Sequence, residues 1–190
     1  MTITINQLNI GMGLLVDNDI CMVNELHHVK PGKGSAFVRV KMRNLKTGNV
    51  IERTYKTADK LEDITLEEKE LEYLYHSGDH FCFMDHTTYD QVSMTDEEVG
   101  DAEKFLLEGL IVSGLSYNDK IVKINLPNFI TAKITESEPG IKGDSSRSGT
   151  KPAKIETGTV VQVPLFINVD DWVKIDTRTG VYVERVKNES

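Results

Sequence analysis

The sequence lacks any apolar run of about 18 residues, the length that a helix needs to cross a bilayer. Asn6, Asn9 and Asp17 interrupt the first apolar stretch, so the start of the chain does not resemble a secretion signal. Only two cysteines occur, Cys21 and Cys82, and they form no C-x-x-C motif. We therefore expect a soluble cytoplasmic protein with no membrane partner, no disulfide scaffold and no four-thiolate metal site. Both cysteines are expected to be buried small hydrophobic residues.

The chain is also short of basic residues, with 22 Lys and Arg against 30 Asp and Glu and a formal net charge of −8. The deficit lies in the middle third, where residues 64–126 carry 4 basic and 14 acidic side chains, net −10. Residues 1–63 carry 9 and 7, net +2, and residues 127–190 carry 9 and 9, net 0. Because an acidic surface repels a polyanion, any contact with nucleic acid is expected mainly on the first and last thirds.

Helical patterns are scarce, and short stretches of β-branched and aromatic residues dominate instead. Strands are predicted at residues 20–23, 36–43, 50–55, 71–75, 80–84, 120–125, 128–135, 159–167, 172–176 and 182–186. Turn sequences such as Asn118-Asp119 and Thr179-Gly180 separate them at intervals typical of small barrels. The pattern predicts an all-β protein.

One short helix is predicted in the middle third of the chain. Thr95 and Glu98 form a capping box, and four apolar residues follow at helical spacing. These residues are Val99, Ala102, Phe105 and Leu106.

Three small barrels in series are the predicted domain organisation, because the charge changes sharply near residues 63 and 127. The expected domains are residues 1–63, residues 64–126 and residues 127–190. The longest stretch without strand signals is residues 136–154, which is rich in Gly, Ser, Lys and Pro. Long structureless segments inside compact domains are usually functional, so this one is a candidate contact loop.

The most informative local pattern is KPGKGS at residues 30–35, between two predicted strands. Pro31 presets a turn, and Gly32 and Gly34 permit positive φ angles, so Lys33 is predicted at an exposed hairpin tip. In the next strand, apolar residues alternate with basic ones, namely Val38, Val40 and Met42 with Arg39, Lys41 and Arg43. Two interpretations stay open: a solvated strand with a solubilising lysine, or an electrostatic finger that enters a cleft in RNA.

The sequence matches no catalytic or metal-binding motif closely enough to support one. The sequence GKGS at residues 32–35 lacks the Walker spacing, and Gly11-Met12-Gly13 lacks the third glycine of a dinucleotide fingerprint. His76, His80, Cys82 and His86 contain zinc-ligating groups, but the Gly78 turn prevents a helical ligand pair. We therefore expect no catalytic residues, no metal and no cofactor.

The pattern at residues 29–44 (VKPGKGSAFVRVKMRN) resembles the first domain of bacterial elongation factor P. The resemblance continues in order along the chain through residues 73–75, 83–85, 127–129, 139–144 (PGIKGD), 151–153 (KPA), 157–158, 163–166 (VPLF) and 173–186 (VKIDTRTGVYVERV). The chain departs from the family pattern at Asn9, Ser35, Ser145 and Asp170, the last of which is usually glycine. The resemblance implies an SH3-like first domain and two OB-like barrels in an L-shaped, tRNA-like outline.

The resemblance also implies a monomeric translation factor that binds the ribosome beside the peptidyl-tRNA and relieves stalling at consecutive prolines. Lys33 matches the family's tip lysine, which a modifying enzyme commonly lengthens. Gly143, Asp144 and Ser145 match the loop that contacts the exit-site codon of the mRNA, and Tyr182 and Arg185 match positions near the small subunit and tRNA. Charge alternation, rather than the family, suggests four phosphate partners: Lys30, Arg39, Lys41 and Arg43.

Two other functions remain as alternatives. A general single-stranded RNA-binding protein would use the OB-like barrels and the basic strand without acting on the ribosome. An enzyme would use the cluster of His76, His80 and Cys82, and stoichiometric zinc would be its first requirement.

Overall fold

Three β domains make up the protein, which a computed structural model describes at residues 2–30, 32, 36–138 and 149–187. The first sheet has the strand order β1-β6-β2-β3-β4-β5. Its strands are β1 (Thr2–Thr4), β2 (Gly13–Val16), β3 (Asp19–Val29), β4 (Phe37–Asn44), β5 (Val50–Lys56) and β6 (Lys60–Ile64). A 3-10 helix (Ile5–Gln7) follows β1.

The middle sheet has the order β11-β10-β7-β8-β9, and the third has the order β14-β13-β12-β15-β16. The middle strands are β7 (Glu67–Ser77), β8 (His80–Asp85), β9 (Gln91–Thr95), β10 (Ile111–Tyr117) and β11 (Lys120–Asn125). The last five are β12 (Phe129–Ser137), β13 (Thr150–Ile155), β14 (Val160–Pro164), β15 (Trp172–Asp176) and β16 (Val181–Val186). The prediction of a mainly β fold with one short helix is confirmed.

Two compact units contain these sheets: residues 1–68 with 114–123, and residues 69–113 with 124–190. Strands β7, β10 and β11 contribute residues to both units. The two domain boundaries drawn from charge therefore stay a prediction. Within the described ranges, no helix is long and apolar enough to cross a membrane.

Tight turns set the register of two hairpins, of which the sequence predicts only the one at Asn118 and Asp119. Asn118 and Asp119 join β10 to β11 with φ angles of 50° and 61°, and Asp17 and Asn18 join β2 to β3 with 51° and 72°. Two successive positive φ angles are characteristic of type I′ hairpins, whose twist matches that of the strands. Asn and Asp tolerate this left-handed conformation better than most other non-glycine residues.

The predicted helix is divided into two parts. Helix α1 (Asp96–Val99) begins at Thr95, whose hydroxyl accepts a hydrogen bond from the Glu98 N–H at 3.3 Å, and the Glu98 carboxylate accepts the Thr95 N–H at 3.0 Å. A 3-10 helix (Gly100–Phe105) continues the chain. Gly100 has a φ of 55°, a left-handed conformation that ends the α-helix there.

Phe105 leaves the 3-10 helix and enters the core of the third domain. Its side chain is 7% exposed and belongs to the same apolar cluster as Ile130, Val163 and Ile175. The Lys104 carbonyl beside it accepts hydrogen bonds from two threonine hydroxyls, Thr157 at 2.7 Å and Thr159 at 2.8 Å. The connection after α1 is therefore fastened to the third sheet by packing and by hydrogen bonds.

Two sequence expectations are corrected. Part of the supposedly structureless stretch 136–154 is strand, because β13 runs through Thr150–Ile155 and pairs with β12 and β14. Cys21 is fully buried as expected, but Cys82 is only partly buried and its sulfur lies 3.7 Å from the Ser93 hydroxyl.

Asp170 adopts a left-handed conformation with a φ of 71°. Its carboxylate lies 2.7 Å from the Lys133 ammonium, and its N–H donates to the Ile134 carbonyl at 2.9 Å. The ion pair is largely exposed, so it offsets only part of the conformational cost.

We expect Asp170→Gly to change the free energy of unfolding by less than about 1 kcal/mol, because relief of strain and loss of the ion pair oppose each other. Asp170→Val should lower the free energy of unfolding by about 1–2 kcal/mol or more, since a β-branched residue resists positive φ. Urea denaturation followed by Trp172 fluorescence would measure both. Equal losses in the two variants would contradict a backbone origin.

Candidate nucleic-acid interface

The hairpin of β3 and β4 carries the residues that the sequence singles out. Its ladder runs from Cys21 opposite Asn44 to Val29 opposite Phe37, so residues 30–36 form the connection. Lys33 is the middle residue of that connection in the sequence. Lys30 and Gly32 are exposed, whereas Pro31, Lys33 and Gly34 lie outside the described residues.

The predicted alternation along β4 is confirmed. Val38, Val40 and Met42 are at most 5% exposed and belong to the core of the first domain. The basic residues Arg39, Lys41 and Arg43 occupy the opposite face, where Arg39 and Arg43 are exposed and Lys41 is half-buried. A cationic strand face therefore leads toward the connection that contains Lys33.

Two of these three cations have carboxylate partners on neighbouring strands. The Lys41 ammonium lies 3.0 Å from the Glu25 carboxylate, which is directly opposite it on β3. Arg39 Nε lies 3.3 Å from the Glu52 carboxylate on β5. A hydrogen bond from His27, followed by one from Lys41, lowers the pKa of Glu25. Part of the positive face is therefore neutralised by carboxylates of β3 and β5.

Arg43 differs from its two neighbours because it has no acidic partner among the residues described. It lies close to a second cation, Lys123, on β11. Burial, followed by the repulsion of Arg43, lowers the pKa of Lys123. Two like charges in proximity favour an anion between them. Sequence reasoning missed Lys123 because it lies 80 positions from Arg43 and in the acidic third.

Tyr182 and Arg185 both lie on β16 of the third sheet. Tyr182 packs against the core of that domain, and burial raises the pKa of its hydroxyl. Arg185 is exposed, but its guanidinium lies 3.1 Å from the Asp171 carboxylate. The first residue therefore has a packing role in addition to any contact with RNA, and the second has a competing acidic partner.

The three other residues of the predicted interface, Gly143, Asp144 and Ser145, lie outside the described residues. The chain is described on both sides of them, at Glu138 and from residue 149 onward. Lys151 is only 6% exposed, and its ammonium donates to the Glu138 carbonyl at 2.8 Å. Sequence reasoning noted Lys151 only as part of a family motif, since a buried lysine is uncommon.

The four residues considered as zinc ligands have separate environments on the β7–β8 hairpin. The His76 ring stacks on Phe81 at 4.2 Å between centroids and bonds to Asp96 at 3.0 Å, while His80 bonds to Asp79 at 2.6 Å. Across the described ranges, no three His, Cys, Asp or Glu side chains are grouped to hold a metal ion.

His86 lies between two carboxylates of β7. Its Nε2 is 2.8 Å from Glu72 and its Nδ1 is 3.1 Å from Glu70. The hydrogen bond to Glu72, helped by the one to Glu70, raises the pKa of His86 above its ordinary value of 6.5, while partial burial opposes the rise. The imidazolium is therefore the form that folding favours.

This raised pKa predicts a pH dependence of stability. The contribution of His86 is fully present below its unfolded pKa and is lost as the pH rises through the folded pKa. We expect His86→Gln to destabilise the protein more at pH 6 than at pH 9, measured by urea unfolding at both values. His28→Gln, at an exposed histidine with no described acidic partner, is the control. An equal loss at both pH values would contradict the prediction.

The fold matches that of a known class of translation factor. A solved structure described as eukaryotic translation initiation factor 5A from Methanococcus jannaschii superposes with a TM-score of 0.53 and is 21% identical. The match covers 66% of this chain and 94% of that one, and at this identity it supports the fold alone.

Family models cover all three domains. They are the elongation factor P KOW-like domain at residues 4–61, the elongation factor P OB domain at residues 66–124 and the elongation factor P C-terminal domain at residues 130–185. Relatives named elongation factor P are 49% identical in Moorella thermoacetica and 45% identical in Desulfitobacterium hafniense. Each match covers 96% of this chain and 99% of the relative. The chain belongs to the elongation factor P family of bacterial translation factors.

Proposed function

We propose that the protein binds the ribosome beside the peptidyl-tRNA in the cytoplasm and promotes peptide-bond formation at consecutive prolines. The observation that carries this proposal is the 49% identity to a relative named elongation factor P over 96% of the chain, with KPGKG at residues 30–34 inside the matched KOW-like domain. Lys33 would reach the acceptor end of the tRNA, lengthened by a modifying enzyme. Gly143, Asp144 and Ser145 would contact the exit-site codon.

The physical mechanism is positioning rather than acid–base chemistry. Proline is a slow substrate because its ring fixes φ and restricts the approach of the reacting groups. A cation beside the terminal phosphates of the tRNA can hold that end in a productive geometry, which lowers the entropic part of the barrier. The described residues near the connection carry positive charge and no nucleophile paired with a base, in keeping with such a role.

The phosphate partners would include Lys30, Arg39, Lys41 and Arg43, with Tyr182 and Arg185 contacting RNA through the third domain. Arg43 is the strongest candidate phosphate partner among the four basic residues, because Lys123 adds a second positive charge beside it. Arg39 and Lys41 would have to exchange Glu52 and Glu25 for phosphates.

A reconstituted translation assay tests the proposed function. Addition of the protein should accelerate synthesis of a peptide with three consecutive prolines and leave a proline-free peptide unchanged. Acceleration of neither peptide, together with salt-sensitive binding to arbitrary oligonucleotides, would favour a general single-stranded RNA-binding protein instead.

Arg43 provides a separate test of the interface. We expect Arg43→Gln to weaken binding to tRNA and to reduce the slope of log affinity against log salt by about 1, because one phosphate contact is lost. Fluorescence anisotropy with labelled tRNA over a salt series would measure both. Arg39→Gln is the matched control and should have the smaller effect, since Glu52 already neutralises Arg39. The reverse order would exclude the Arg43–Lys123 pair as a phosphate site.

A further inference from the structure

A cavity of about 430 Å³ lies between the middle and third sheets within the second compact unit. Its lining includes two aromatic residues, Tyr73 and Trp172, and two carboxylates, Glu108 and Glu156. Among the described lining residues there is no Lys, Arg or His, so this part of the cavity is aromatic and acidic.

Tyr73 lines the cavity and offers its hydroxyl to a polar ligand. The residue is 6% exposed, and its ring packs against Phe81 and Phe83 at centroid distances of 5.9 and 5.5 Å. Burial, and then the charge of Glu108, raises the pKa of the Tyr73 hydroxyl. No hydrogen bond to that hydroxyl occurs in the described part of the chain, and the hydroxyl is not one of the buried side-chain atoms left without a partner, so it is accessible to solvent in the cavity.

Both glutamates are exposed, and backbone hydrogen bonds anchor the turn that carries Glu108 and one oxygen of Glu156. Glu108 lies in a turn that is bonded to Tyr73 at both ends, through Gly109 N–H to the Tyr73 carbonyl at 2.8 Å and Tyr73 N–H to the Leu110 carbonyl at 2.9 Å. One oxygen of Glu156 accepts the Lys133 N–H at 3.0 Å. Neither carboxylate has an ion-pair partner among the described residues, so the site is anionic.

We propose that this cavity receives an arginine side chain from a protein partner. A guanidinium is planar and can stack on the Trp172 ring while it donates to carboxylates and to the Tyr73 hydroxyl. The net charge of −10 over residues 64–126 would attract a basic segment of that partner. RNA is disfavoured, because the same carboxylates repel phosphate.

Trp172 is the only tryptophan of the sequence and lines the cavity, so its fluorescence reports on binding there. The probe is the peptide N-acetyl-glycyl-arginyl-glycinamide, titrated at low salt into the full chain. We expect a saturable change in Trp172 emission that weakens as salt is raised. The citrulline peptide, which has nearly the same shape but no charge, should cause no change, and the lysine peptide should bind more weakly.

Variants of the protein test whether the change in Trp172 emission comes from binding in the cavity. The double variant Glu108→Gln with Glu156→Gln should raise the dissociation constant at least about fivefold, because both charged acceptors are lost. Glu103→Gln, at an exposed carboxylate outside the cavity, should leave the dissociation constant unchanged. Equal responses to the arginine and citrulline peptides, no response at all, or a matching response to a single-stranded oligonucleotide would overturn the proposal. The peptide comparison uses unaltered protein, so it holds whether or not a variant folds.

This inference is independent of the proposed role of Lys33. The peptide titration requires neither ribosomes nor a modified lysine. A negative titration would not contradict the proposed role in translation. A negative translation assay would not contradict the proposed binding of arginine in the cavity.

Discussion

Replacement of Lys33 by alanine is expected to abolish the acceleration of polyproline synthesis while the protein stays folded. Lys33 is the middle residue of the connection that follows the last pair of the β3–β4 ladder, Val29 and Phe37. The core of the first domain consists of other residues, such as Val38, Val40 and Met42, so loss of the lysine side chain should leave that core intact. The effect should therefore appear in function and not in stability.

The measurement is the rate of synthesis of the triple-proline peptide with wild-type protein, Lys33→Ala and Lys46→Ala. Lys46 is an exposed lysine of the same domain in the turn after β4, so Lys46→Ala controls for the loss of one positive charge. Lys33→Ala should give the rate seen without the protein, and Lys46→Ala the wild-type rate. Full activity of Lys33→Ala would refute the role of the lysine, whatever its modification.

Replacement of Phe105 by alanine is expected to cause a large loss of stability in the second compact unit. Phe105 is 7% exposed within the cluster that includes Ile130 and Val163, and a Cβ added at Gly180 would lie 3.6 Å from its ring. Truncation of a buried phenylalanine costs about 3–5 kcal/mol, because burial is lost and a cavity remains.

Urea denaturation followed by Trp172 fluorescence would measure this loss, since Trp172 lies on β15 in the same domain. Phe166→Ala is the matched control: it makes the same chemical change at a side chain that is 60% exposed and should cost less than about 1 kcal/mol. A loss below 1 kcal/mol in Phe105→Ala would show that the third domain does not depend on this residue.

The sequence predicts those parts of the fold that follow from local pattern. The alternation along β4 is visible because side chains on a strand point to opposite faces, and apolar residues fill one of them. The capping box at Thr95 and the turn at Asn118 and Asp119 are visible because few residue types satisfy those conformations. Strands β11 and β15 match their predicted ranges for the same reason.

Strand β13 escaped prediction because tertiary contacts, not local pattern, stabilise it. Lys151 is buried by its contact with Glu138, which no local pattern reveals. Pro152 normally argues against an inner strand, because it has no N–H to donate. Here the pairing of β13 with β12 extends from Ile155 only as far as Ala153, so Pro152 falls just beyond that ladder.

The ion pairs of the basic face were equally hidden from sequence reasoning. Glu25 faces Lys41 only because the register shifts between Val23 and Glu25, and a single-residue shift reverses which face a side chain occupies. The sequence shows the charges on β4, but the partners of those charges depend on register and on β5.

Under the proposed function, these ion pairs would make the cationic strand selective among polyanions. A phosphate that binds Lys41 or Arg39 must first displace Glu25 or Glu52, and each exposed pair by itself contributes little. An RNA with phosphates spaced to reach both cations would replace both ion pairs, whereas one that reaches a single cation would gain a single contact. The two carboxylates would therefore disfavour RNA whose phosphates do not match the spacing of Arg39 and Lys41.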